Sequence, residues 1–176
     1  MISYNGSATL WSLIVGWPTV RPFVLALPVP GCEEKTLQYE RVAAQRIGRG
    51  RYRLLRSPNR VPGLAAGDVF ALTRKEECGF RVVAPGGNVC VWFYFDARYD
   101  KDSPEAMELC RSVEALGGSV DAERVFSLTF TIPTSAGLAK IDELMRKTAD
   151  RIPWSIYQYG SKPERMHLRA RPSEGH

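Results

Sequence analysis

Apolar and polar positions along the 176-residue chain fall into two rhythms, one in each half. In the N-terminal half the apolar runs are short and bounded by turn residues, the signature of strands. "RPFVLALPV" predicts a strand closed by prolines. "YERVAAQRI" and "RYRLLRS" predict the arms of a hairpin turning at Gly48 to Gly50. "GDVFALT" and "GFRVVAP" predict a second strand pair. "NVCVWFYFD" is almost continuously apolar, as a strand covered on both faces must be.

The C-terminal half alternates strand and helix. Ser103 followed by Pro104 and Glu105 is an N-terminal capping signal, and Met107, Cys110, Val113 and Leu116 then recur at helical spacing until Gly117 and Gly118. "RVFSLTFTI" predicts a strand with Phe126, Leu128, Phe130 and Ile132 on a dry face. Its Ser127, Thr129 and Thr131 predict a wet one. A second helix carries Leu138, Ile141, Met145, Thr148 and Ile152 on one stripe and stops at Pro153, and "WSIYQY" predicts a last strand. The fold class is therefore α+β. An antiparallel β-rich lobe (about 1–87) precedes a β-α-β-α-β layer (about 88–160) of split-βαβ type, with two helices on one face and a polar tail (161–176).

Composition adds little to this picture; charge changes it. Residues 41–60 hold seven arginines and no acid, which gives +7 in a chain whose net charge is +5, so the remainder is slightly acidic. If Tyr52 and Leu54 face inward, strand alternation puts Arg49, Arg51 and Arg53 together on the outer face, with Arg46 and Arg56 near the two arms. Guanidiniums are planar and permanently charged, suited to bidentate capture of oxyanions. The plainer reading is a solvated face that deters edge pairing. Tyr157 and Tyr159 share a face of the last strand, and an open face there would supply secondary anchors.

Other chemistry is thinly represented. Cys32, Cys78, Cys90 and Cys110 stand singly, without C-x-x-C spacing, and the only histidines, His167 and His176, are in the tail. No metal site, cofactor site or Cys-His or Ser-His pair is expected. "GLAAGDVF" and "APGGNV" precede no helix, so their glycines read as turns and not as phosphate cradles. An enzyme would need its acids, Asp68, Asp96 and Asp100, to converge in space; turn chemistry and helix capping account for them more simply. The apolar N-terminal run lacks a basic start and is broken by Pro18, Pro22 and Arg21, so a cytoplasmic protein without a membrane span is expected.

Gly48, Gly50, Tyr52, Leu54, Pro58, Gly63, Leu64, Ala65, Gly67 and Asp68 together resemble the pattern of a family of small uncharacterised bacterial proteins known as a domain of unknown function. The likeness spans roughly residues 38–159, and Phe70 departs from it where the pattern is aliphatic. It implies a bacterial source and the α+β layout, and carries no catalytic residues. The expectation from sequence is a non-enzymatic module that binds an acidic protein, such as the immunity protein of a toxin, through its basic hairpin. A nucleic-acid binder using the same arginines is the alternative, and an enzyme with a carboxylate site comes third.

Overall fold

The structure is a computed structural model that describes residues 22–30, 38–73, 79–95 and 102–161. Strands β1 (Phe23–Pro28), β2 (Tyr39–Gly48), β3 (Arg51–Leu54), β4 (Val69–Leu72) and β5 (Phe80–Ala84) form an antiparallel sheet in chain order. Alternation along each strand sends Leu27, Val42, Ala44, Leu54, Phe70 and Phe80 to one face, where they close over Val61 and Leu64 from the β3–β4 connection. Tyr52 and Phe70 are cross-strand partners with ring centroids 5.9 Å apart, so Tyr52 does face the core as its parity predicts.

The second sheet contains β6 (Asn88–Tyr94), β7 (Ser119–Arg124), β8 (Ser127–Pro133) and β9 (Ile156–Tyr159) in the order β7-β8-β6-β9, with α1 (Pro104–Ala115) and α2 (Leu138–Arg151) between them. This β-α-β-β-α-β order is the split-βαβ, ferredoxin-like arrangement. It has one strand more than the hydrophobic pattern indicates. "SVDAER" shows no apolar alternation, yet it pairs with β8, and Val125-Phe126 becomes the turn between them. Phe126 is accordingly half-exposed and not on the dry face.

Capping residues set the helix ends. The Ser103 hydroxyl accepts from the Ala106 amide at 3.3 Å, and Gly117 and Gly118 donate to the Glu114 and Val113 carbonyls at 2.8 and 3.0 Å, a Schellman ending. Gly117 has φ +79, and a Cβ on Gly118 would lie 2.7 Å from the Thr131 carbonyl oxygen, so both positions require glycine. The buried residues of α1 are Ala106, Leu109 and Val113, with Cys110 and Leu116 partly buried against the same core, and of the predicted stripe Met107 alone is exposed. In α2 the predicted stripe holds: Ile141, Met145, Thr148 and Ile152 are buried. Both helices cover the face of the sheet that carries Val89, Val91, Phe93, Leu128, Phe130 and Ile132.

Candidate functional site

The opposite face of the second sheet is not wet. Ser127, Thr129 and Thr131 are buried, with Thr129 fully so, and the β3–β4 connection lies across Thr129 and Thr131. The Pro58 carbonyl accepts from the Trp92 indole at 2.7 Å, and Thr129 donates to the Asn59 side chain at 2.7 Å. The Ser57 hydroxyl lies 2.5 Å from that of Thr131 and also accepts from the Ala66 amide. Asp121 sits at the β7 bulge, which aims its carboxylate at the Ser57 amide (2.5 Å) and the Thr131 hydroxyl. From the other lobe, Glu40 accepts from the amides of Asn59, Arg60 and Val61 at 2.7, 2.8 and 3.0 Å. Each polar group thus loses water and gains a partner, which is the condition for burying it.

The acids and thiols of this region hold structure. Asp68 accepts from the Ala65 and Gly86 amides at 2.8 and 2.6 Å, tying the 85–87 turn to the loop before β4. Burial raises its pKa, and the two amides pull it partly back. Asp96 and Asp100 lie outside the described residues. Cys90 is enclosed beside Ala65 and Trp92, and burial pushes its thiol up to about 12, which makes it a poor nucleophile. Among the described residues no three His, Cys, Asp or Glu side chains are placed to hold a metal ion. Nor is any described helix long and apolar enough to cross a membrane.

The aromatic stripe at the last strand is also structural. Tyr159, 5% exposed, belongs to the core beneath α2, and Tyr157 donates to Asp142 at 2.9 Å. The face they share is closed, which removes the condition for their acting as partner anchors. Burial, with Asp142 and Tyr157 nearby, raises the pKa of the Tyr159 hydroxyl. Trp154 instead projects into solvent from the turn before β9, at φ 63.

What remains open is the outer face of the five-stranded sheet. Arg49 and Gly50 form the β2–β3 turn, with Gly50 at φ +66, so Arg49 leads off the hairpin tip and not along the strand face. Arg46 pairs with Tyr52 and has the parity of the core face, beyond the core's edge. Arg56 follows β3 and is exposed. Arg51 and Arg53 do lie on the outer face, as their parity predicts. Register adds a cation that lies outside the basic window: Arg51 pairs with Ala71, and Ala71 with Arg81. Arg41, with Gln45 four residues further along β2, shares this face. The only carboxylates among the described residues of this lobe, Glu40 and Asp68, accept from backbone amides instead. No arginine of the outer face forms an ion pair with a described residue.

Residues 40–156 match the model of the family described as Domain of unknown function (DUF4265). The chain belongs to this family. Its match takes in β2 to β8 and both helices, with Arg41, Arg51, Arg53 and Arg81 of the basic face, and leaves β1 and most of β9 outside. A solved structure described as the novel crystal structure of a hypothetical protein from Neisseria gonorrhoeae is similar in fold. The TM-score is 0.57 and the identity 15%, covering 80% of this chain and 92% of the other. No curated protein matches the chain.

Proposed function

We propose that this DUF4265 protein is a non-enzymatic binding module. It holds an acidic protein against the outer face of its five-stranded sheet, in the manner of an immunity protein that neutralises a toxin in the bacterial cytoplasm. The observation that carries the reading is the cross-strand set Arg51, Arg53 and Arg81, exposed or half-exposed and without a carboxylate partner among the described residues. Desolvating unpaired guanidiniums is costly in isolation and favourable against carboxylates, so such a face selects an acidic partner and speeds its association. Asp68 and Cys90 point away from enzymatic chemistry, since the first is bound to backbone amides and the second is buried with a raised pKa. Protein is favoured over nucleic acid because the ring within the arginine run, Tyr52, is spent against Phe70 and offers no stacking surface.

The test is a growth assay. The reading frame adjacent to this gene is expressed with the wild-type protein or with the Arg51→Glu, Arg53→Glu, Arg81→Glu triple variant. Rescue by the wild type and toxicity with the folded triple variant are expected. Equal rescue by both, or rescue by neither, contradicts the reading. Retention of arbitrary duplex or single strand at low salt, lost with a steep salt slope, would favour the nucleic-acid alternative instead.

A further inference from the structure

We infer that the element docking on this face is an α-helix with acidic side chains one turn apart, laid along β4 between the Arg51–Arg53 pair and Arg81. The inference rests on the reading that this face binds protein. The register makes β4 the floor of a shallow trough. Val69 and Ala71, small and half-buried, lie beneath; Arg51 and Arg53 rise from β3 on one side, and Arg81 from β5 on the other. Two strand spacings set the flanking backbones about 10 Å apart, so the guanidiniums stand on either side of a helix axis laid over β4, within reach of carboxylates on its two flanks. Along β3 the two arginines are about 7 Å apart, near the rise of about 6 Å between helical carboxylates at i and i+4.

The alternatives fit less well. An extended peptide binds a sheet by adding to an edge, but β4 is paired on both sides, so its backbone offers no ladder. A phosphate backbone would use the arginines and gain nothing from a methyl floor. An amphipathic helix uses both, with apolar residues on Val69 and Ala71 and carboxylates on the flanking guanidiniums.

The test uses two fluorescein-labelled peptides of equal composition, titrated by anisotropy. One is a lactam-locked helix of about 15 residues with Glu at i and i+4; the other is broken by a central proline. The locked helix is expected to bind at least roughly tenfold more tightly than its broken counterpart. Ala71→Lys adds positive charge but obstructs the floor, and is expected to weaken the locked helix about tenfold, whereas Ala71→Ser, which keeps the floor small, binds like the wild type. Equal binding of both peptides, tightened by Ala71→Lys, overturns the helix and leaves the basic-face reading standing. Absence of binding by both peptides also overturns the helix. Binding of either peptide that survives Arg51→Glu with Arg81→Glu overturns the basic-face reading as well.

Discussion

Each sheet turns one face away from its helices or its own apolar core, and the two faces have opposite fates. The free face of the four-stranded sheet presents hydroxyls, Ser127, Thr129 and Thr131, and is buried. The outer face of the five-stranded sheet presents Arg41, Arg51, Arg53 and Arg81, and is open. The difference is one of partners. Hydroxyls and a single bulge carboxylate are satisfied by one crossing loop, whose own amides are taken up by Asp121 and Glu40. Four guanidiniums would need several carboxylates from within the lobe, and its described acids are occupied with amides. Burial follows where hydrogen-bond supply meets demand.

The comparison breaks most visibly at Glu40. Glu40→Ala strands three backbone amides of the crossing loop and should cost about 3 kcal/mol, read as a lower urea midpoint. The same variant should expose Cys90. With its pKa pushed up to about 12 by burial, the wild-type thiol stays protonated at pH 8 and should resist alkylation until the junction opens. Next comes the pair Asn59 and Thr129. Asn59→Ala should cost about 1–2 kcal/mol by leaving a buried hydroxyl without its acceptor. Combined with Thr129→Val, it should cost less than the sum of the two single changes.

A smaller effect is expected from Asp68→Asn, with a pH signature. A carboxyl whose folded pKa lies above its ordinary 3.8 contributes stability that is complete below that value and is lost as pH rises through the raised one. The deficit of the asparagine variant should therefore be largest in acid and shrink towards neutrality. A deficit that grows with pH would mean the amides outweigh burial. The smallest effect on stability belongs to the open face, where each of Arg51→Glu, Arg53→Glu and Arg81→Glu should stay within about 0.5 kcal/mol of the wild type.

Much of this architecture is legible in the sequence, and the misses share a cause. Strands β1 to β6, both helices and the Gly48–Gly50 turn follow from local period and punctuation. Strand β7 does not, because its bulged "SVDAER" has no alternating face; its role is to bring Asp121 to the junction. The wet reading of Thr129 failed because alternation reports polarity and not exposure. Arg81 lies well downstream of the basic window and joins it only through two strand registers, while Arg46 and Arg49 lie inside the window and leave the face, the first by strand parity and the second at the turn. Tyr159 was ambiguous without knowing where α2 packs.

The most direct measurement is calorimetric titration of the acidic protein that neutralisation identifies, at two salt concentrations, against the wild type and the Arg51→Glu, Arg53→Glu, Arg81→Glu variant. Salt-sensitive binding by the wild type and none by the variant is expected, with the two proteins melting at the same temperature. Unchanged affinity in the folded triple variant would contradict it.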